Sequence, residues 1–200
     1  MTEEEFYNLS KPQLLEGAKI CIENAHNLYE GAISLELKKS IGPANSLMIL
    51  SIEEYIKAFV LVAGYCDIEL DFKVKPIFRH HQEKHKLGVE ILPILRLVEV
   101  VSDLFDMKKS VFNKVMSTLI CIQLTWSPKR KKEIQEWWEK ANNEKNNGLY
   151  VGFRNNKWKS PSDFSEEFYQ QSKVIAGTFK NASKSIESLR SDDYKSIQLK

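Results

Sequence analysis

The pattern of apolar positions predicts a chain made almost entirely of helices. Between residues 46 and 66, apolar side chains recur at steps of four and three, the spacing of one face of an α-helix. Other apolar residues fill most of the remaining circumference, so we expect this helix to be buried at the centre of the fold. Glu53, Glu54 and Lys57 lie at its middle, where unpaired buried charges are costly. They indicate either an internal ion pair of Glu53 with Lys57 or the floor of a functional site.

A second apolar pattern precedes this central helix. Ser10 and Pro12 are typical of a helix start. From there an unbroken apolar seam is formed by Leu14, Ala18, Cys21, Ala25, Leu28, Ala32 and Leu35. The seam predicts a helix that packs within a bundle, with a coiled-coil dimer as the alternative. Gly42-Pro43 then predicts a break before the central helix.

Helical patterns continue in the second half of the chain. Residues 77–101 and 111–126 predict helices, the first of them kinked or split at Pro93. A highly charged helix follows from Pro128, and Gly148 is expected to end it in the C′ position.

The start of this charged helix allows two interpretations. Lys129 to Lys132 place four cations in the first turn, which favours a solvated face. The alternative is a patch that tracks phosphates, with Trp137 and Trp138 as its aromatic residues.

Residues 148–161 are the one stretch that does not predict a helix. Aromatic residues on either side of Asn155-Asn156 are typical of a short hairpin or an ordered loop. Ser162 is then expected to cap a last helix. We therefore predict an all-α bundle of five to six helices in a single domain, residues 1–200. It comprises a main bundle at 10–147, the loop or hairpin at 148–161 and a C-terminal helix at 162–190.

Charge and cysteine content indicate the class of partner and the cellular compartment of the protein. The 29 basic and 27 acidic residues leave a net charge of +2, which does not indicate a general nucleic-acid binder. The three cysteines are far apart and form no metal-binding spacing, as expected in a reducing cytosol. The N-terminus does not resemble a signal peptide, and no apolar run is long enough to span a membrane. We expect a cytoplasmic protein without membrane association.

Three of the four histidines crowd into residues 80–85. His81 and His85 would share a helical face and could hold a metal ion. The metalloprotease motif HExxH, however, needs a glutamate where this chain has Gln82. Lysine and arginine neighbours also disfavour a dication. We therefore expect no metal and no other cofactor.

The same stretch offers a chemistry that needs no metal. The Arg79 guanidinium can clamp a phosphate through two parallel hydrogen bonds. The His85 imidazole titrates near neutrality and can take a proton from a ribose 2′-hydroxyl. With five residues between them, the two side chains supply the parts needed to cleave RNA by internal transfer. The competing interpretation is a solvated, basic helix start, and spacing alone does not decide between the two.

Taken together, these pieces resemble the AbiV-type abortive-infection proteins, helical members of the HEPN superfamily. The resemblance covers most of the chain. It rests on the opening pattern AxxCxxNAxxLYEGA, on Glu53-Glu54-x-x-Lys57-Ala58, on Phe78-x-x-His81-x-x-Lys84-His85, and on Gly148-Leu149-Tyr150-Val151-x-Phe153 with Trp158 and Pro161. The chain departs from the pattern at Gly152, where relatives often have aspartate.

The resemblance implies an anti-phage protein that shuts down a host process, with translation as the expected target. The resemblance to HEPN proteins also implies a helical homodimer in which two Arg-x4–6-His motifs face each other over RNA. On that pattern Arg79 would stabilise the phosphate, His85 would act as base and His81 as partner acid. Glu54, Lys57 and Lys84 would complete the site. A phage-encoded protein is the expected activator.

The alternative is a non-catalytic interaction protein. In that case the seam helices and the loop around 150–158 would bind a phage-encoded protein and block phage development through the complex.

Overall fold

The computed structural model describes residues 3–67, 88, 128–187 and 189. Within these residues the fold is all-α apart from one small hairpin, which confirms the predicted fold class. The predicted helices at 77–101 and 111–126, with Pro93, lie outside the described residues. The elements are α1 (Glu3–Tyr7), α2 (Lys11–Leu37), α3 (Ile41–Tyr65), α4 (Pro128–Leu149), β1 (Gly152–Arg154), β2 (Lys157–Lys159), a 3-10 turn (Pro161–Asp163) and α5 (Glu166–Glu187).

Helix α3 is the centre of the described fold, as its apolar circumference predicted. It packs against α2, α4 and α5, and its apolar residues from Met48 to Leu61 are largely buried. It begins earlier than expected, however, and the predicted break at Gly42-Pro43 is wrong. Pro43 lies in the first turn, where a missing backbone N–H removes no intrahelical hydrogen bond.

The chain instead reverses direction at Lys38–Ser40. Lys39 has a φ of 57°, the left-handed conformation that usually belongs to glycine. The N–H of Lys39 donates to the carbonyl of Glu36 at 2.8 Å, and the N–H of Ser40 donates to Leu35 at 2.9 Å. These two bonds form a Schellman motif, which ends α2 and turns the chain directly into α3.

The seam of α2 packs inside the chain. Leu14, Ala18, Ala25 and Ala32 are buried, mainly against α3. The bundle interpretation of the seam is therefore confirmed. Small alanine side chains let the two helix backbones approach closely.

Helix α4 buries both of its tryptophans. Trp137 stacks on Phe168 of α5 with ring centroids 5.9 Å apart, and Trp138 meets Trp137 edge to face. Side chains packed in this way are not available to stack on bases. The interpretation of the start of α4 as a phosphate-tracking patch thus loses its aromatic residues.

Gly148 was also misplaced by the sequence prediction. It lies within α4, and no glycine in the described residues has a positive φ. A Cβ atom at Gly148 would lie 2.2 Å from the carbonyl oxygen of Gly42. Glycine is needed here because the end of α4 crosses the start of α3 in backbone contact.

The predicted hairpin is confirmed. Strands β1 and β2 are antiparallel, with Phe153 opposite Trp158 and Arg154 opposite Lys157. Asn155 and Asn156 connect them with φ values of 53° and 57°, the conformation of a type I′ turn.

Ser162 does not cap the last helix as expected. It lies in the 3-10 turn, where its N–H donates to the Ser160 hydroxyl at 3.3 Å. The Asp163 carboxylate accepts from the N–H of Ser160 at 3.0 Å and closes the turn. Helix α5 therefore starts only at Glu166.

Candidate functional site

The predicted site residues fall into two groups. Glu54 and Lys57 lie in the middle of α3. Arg79, His81, Lys84 and His85 lie outside the described residues, so their convergence with α3 stays a prediction.

None of the helices in the described ranges is both long and apolar enough to cross a membrane.

Glu54 and Lys57 form an ion pair on one face of α3. The Lys57 Nζ lies 2.5 Å from the Glu54 Oε1, and the two side chains are only 19 % and 17 % exposed. Lys57 therefore pairs with Glu54, and not with Glu53 as had been expected. A neutralised pair that keeps some access to water can orient a neighbouring polar group without placing a net charge beside it.

Glu53 is paired across the fold. Its Oε1 lies 2.8 Å from the Nζ of Lys145 on α4, and the side chains are 1 % and 6 % exposed. Because both side chains are removed from water, each charge stabilises the other. Removing one partner of such a buried pair typically costs about 3–5 kcal/mol of folding stability. The pair holds α4 in a fixed position against the centre of α3.

Lys145 was not predicted as a site residue, because the high charge of this helix drew attention only to the lysines and arginine of its first turn. The signal was nevertheless in the spacing. Trp138, Ala141, Lys145 and Gly148 recur at steps of three, four and three, and all four are buried. A lysine inside an otherwise apolar helical seam predicts a buried carboxylate partner.

Lys145 contacts α3 through its backbone as well. The Ser46 hydroxyl lies 2.7 Å from the Lys145 carbonyl oxygen and 3.1 Å from that of Gly42. Ser46 and Glu53 are seven residues apart, two turns of one helix face. Lys145 therefore runs along α3 and is hydrogen-bonded at both ends.

A neutral network joins three helices nearby. The indole N–H of Trp137 donates to the Ser172 hydroxyl at 3.1 Å, and that hydroxyl lies 2.7 Å from the Asn45 Oδ1. All three side chains are buried. Within the described part of the chain the Asn45 Nδ2 has no hydrogen-bond partner. The network links α3, α4 and α5 and thereby fixes their relative rotation.

Glu36 joins α2 to α5. Its carboxylate accepts from the Lys173 ammonium at 2.7 Å and from the Tyr169 hydroxyl at 3.0 Å. The hydrogen bond from Lys173 is the main reason that the pKa of Glu36 is lowered from its ordinary 4.5. Burial, followed by the hydrogen bond to Glu36, raises the pKa of Tyr169. The cluster is held as a carboxylate and a neutral phenol at neutral pH.

His26, Ser183 and Glu187 suggest a catalytic triad by type but not by geometry. The His26 Nε2 lies 3.4 Å from the Ser183 Oγ and 3.6 Å from the Glu187 Oε1. A triad needs its serine and its carboxylate on opposite ring nitrogens. Here one nitrogen faces both, and the buried Ser183 hydroxyl also donates to the Lys180 carbonyl at 2.9 Å. The cluster is a packing contact of α2 with α5.

No group of three potential metal ligands occurs among residues 3–67, 88, 128–187 and 189. The chain matches the model of a known protein family. The HEPN_AbiV family model, described as AbiV, matches residues 13–180. No curated protein and no solved structure matches the chain.

Proposed function

Because the chain belongs to the AbiV family of HEPN proteins, which makes it an abortive-infection defence protein, we propose that it restricts phage growth by cleaving RNA without a metal ion. The cleavage stops a host process, translation, in the cytoplasm of the infected cell. The active form is a homodimer that a phage-encoded protein switches on.

The observation that carries this proposal is the extent of the family match. It runs over residues 13–180 and so includes the Arg79–His85 motif together with α3 and the hairpin. The geometry of α3 supports it, since Glu54 and Lys57 form a half-buried pair on a helix that three neighbours hold in place.

The proposed chemistry assigns one role to each side chain. Arg79 binds the scissile phosphate in two-pronged geometry and stabilises the charge that develops there. His85 takes the proton of the ribose 2′-hydroxyl, and His81 protonates the leaving oxygen. Lys84 adds positive charge beside the phosphate. The Glu54–Lys57 pair orients these groups from the floor of the site.

The test is phage resistance and RNA cleavage by Arg79→Ala and His85→Ala at matched levels of folded protein. We expect each to abolish resistance, and His85→Ala to lower the cleavage rate by about 10²–10⁴. Arg79→Lys should be nearly as damaging as Arg79→Ala, because an ammonium cannot replace the two-pronged contact. Cleavage should persist in EDTA. His26→Ala, which changes a histidine outside the motif, is the matched control.

A second candidate function is favoured by the exposed aromatic side chains of the hairpin. A non-catalytic protein could use them to bind a phage-encoded partner. Under that hypothesis Arg79→Ala and His85→Ala keep full resistance, while changes at Tyr150, Phe153 or Trp158 remove it. Full resistance in both motif variants would overturn the nuclease.

A further inference from the structure

The hairpin leaves two large aromatic side chains in solvent. Phe153 is 57 % exposed and Trp158 is 71 % exposed, although both could bury an area that ordinarily drives core formation. Tyr150, just before β1, is exposed as well. An exposed group of aromatic residues on one small element is typical of a binding surface.

The two rings form one continuous surface. Phe153 and Trp158 are directly opposite in the strand register, and their ring centroids lie 5.2 Å apart with planes tilted by 60°. Cross-strand partners project from the same face of a hairpin. Because more than half of each side chain is exposed, a flat ligand can reach both rings.

The charged residues of the hairpin segment are all basic. Residues 149–160 contain Arg154, Lys157 and Lys159 and no aspartate or glutamate. Lys157 and Lys159 are exposed and alternate with Trp158 along β2, so they project from the other face. The ribbon is only about 5 Å from strand to strand, and a flexible chain bent over its edge would reach both faces.

The segments before and after the hairpin both pack closely against Gly42. Before the hairpin, the end of α4 at Gly148 packs against the carbonyl oxygen of Gly42, at the start of α3. On its other side, a Cβ atom at Gly42 would lie 2.3 Å from the carbonyl oxygen of Pro161. The aromatic rings thus project from a hairpin whose flanking segments contact the start of α3.

We propose that the hairpin Gly152–Lys159 is a binding site for single-stranded nucleic acid. Bases stack on Phe153 and Trp158, while the ammonium groups of Lys157 and Lys159 contact phosphates. Stacking on aromatic rings beside cations is how proteins bind single strands without reading their sequence. The choice of RNA over DNA rests on the proposed function; the site itself does not.

The positive charge favours this ligand over a protein partner. A protein interface gains little from excess charge at its centre, where charged residues are depleted. A polyanion gains from each cation, since binding releases condensed counterions. The aromatic pair matches the flat faces that unpaired bases expose.

The test is the affinity for a fluorescein-labelled 12-nucleotide oligouridylate, measured by anisotropy in a His85→Ala background so that the strand stays intact. Phe153→Ala and Trp158→Ala should each raise Kd about 5- to 150-fold, the range for loss of one stacked base. Trp158→Phe, which keeps a ring, should stay close to the parent protein. Val174→Ala, which trims an exposed apolar side chain on α5, is the matched control and should leave Kd unchanged.

Salt dependence tests the cations separately. Lys157→Gln with Lys159→Gln should reduce the slope of log K against log salt by about 1.4, two contacts at about 0.7 each for single strands. Lys132→Gln, at an exposed lysine of α4, should not change the slope.

Two results would overturn the site. One is an unchanged Kd in both aromatic variants. The other is a light-scattering mass for Phe153→Ala or Trp158→Ala that is half the mass of the parent protein, which would make the hairpin an interface between copies. Failure of the nuclease is distinguishable from both, because wild type would then cleave no RNA while Trp158→Ala still weakened binding.

Discussion

The middle of α3 and the hairpin break the usual division of side chains between interior and surface in opposite ways. Asn45, Ser46 and Glu53 are polar and fully buried, whereas Phe153 and Trp158 are aromatic and exposed. The buried groups have hydrogen-bonding partners on other helices, such as Lys145 and Ser172. The exposed rings contact each other and solvent.

The two kinds of exception have different physical consequences. A buried polar group must find its partner within the fold, and the geometry of that partner fixes how the helices sit together. An exposed aromatic pair on a two-stranded hairpin adds little to folding, so we infer that it serves binding. The first kind of violation predicts loss of stability on mutation, and the second predicts loss of binding alone.

The largest effect is expected at the buried pair. Lys145→Met leaves the Glu53 carboxylate without its ammonium partner and should lower the free energy of unfolding by about 3–5 kcal/mol. Urea unfolding at neutral pH measures this loss. Lys140→Met, at an exposed lysine of the same helix, is the control and should change stability by less than about 0.5 kcal/mol.

A double variant sharpens this result. Glu53→Gln added to Lys145→Met removes the carboxylate charge as well, and it should restore part of the lost stability. A Lys145→Met protein as stable as wild type would show that the pair does not hold α4 against α3.

A smaller effect is expected at the base of the hairpin. Gly42→Ala would drive a methyl group into the Pro161 carbonyl, so we expect a loss of about 1–3 kcal/mol from overpacking. Gly177→Ala is its counterpart, because nothing lies within 4 Å of the added atom. In the helix interior it should raise stability by about 0.5–1 kcal/mol. Thermal unfolding of both proteins measures these two changes in stability, which should have opposite signs. Equal changes would contradict the close approach at Gly42.

The Glu36 cluster lies between the two regions in exposure and should respond to pH. Because the folded pKa of Glu36 is lowered below 4.5, its ionised form adds stability above that pH and the gain disappears as pH falls through the folded pKa. Glu36→Gln should therefore be about 1 kcal/mol less stable than wild type at pH 7, with a gap that narrows at pH 3. A gap independent of pH would exclude this contribution.

The sequence predicted those features that depend on local periodicity and turn chemistry. The burial of α3, the packing of the α2 seam and the hairpin at Asn155-Asn156 all follow from spacing that neighbouring residues carry. The family resemblance likewise follows from short patterns spread along the chain.

Some of the errors concern residues that a distant part of the chain constrains. Gly148 suggests a helix end by type, but a contact with Gly42, over a hundred residues earlier, is what requires a glycine. Lys57 suggested Glu53 by spacing, whereas Lys145 takes Glu53 from 92 positions along the chain. Side-chain periodicity gives the face of one helix and not the residue that meets it.

The most direct test of the contrast is the free energy of unfolding of the double variant Phe153→Ala/Trp158→Ala. Because the two rings mainly contact each other and solvent, we predict a value within about 1 kcal/mol of wild type, the range of an exposed cross-strand pair. A loss of about 3 kcal/mol or more, as expected for Lys145→Met, would place the rings among the groups that hold the fold together and contradict the account.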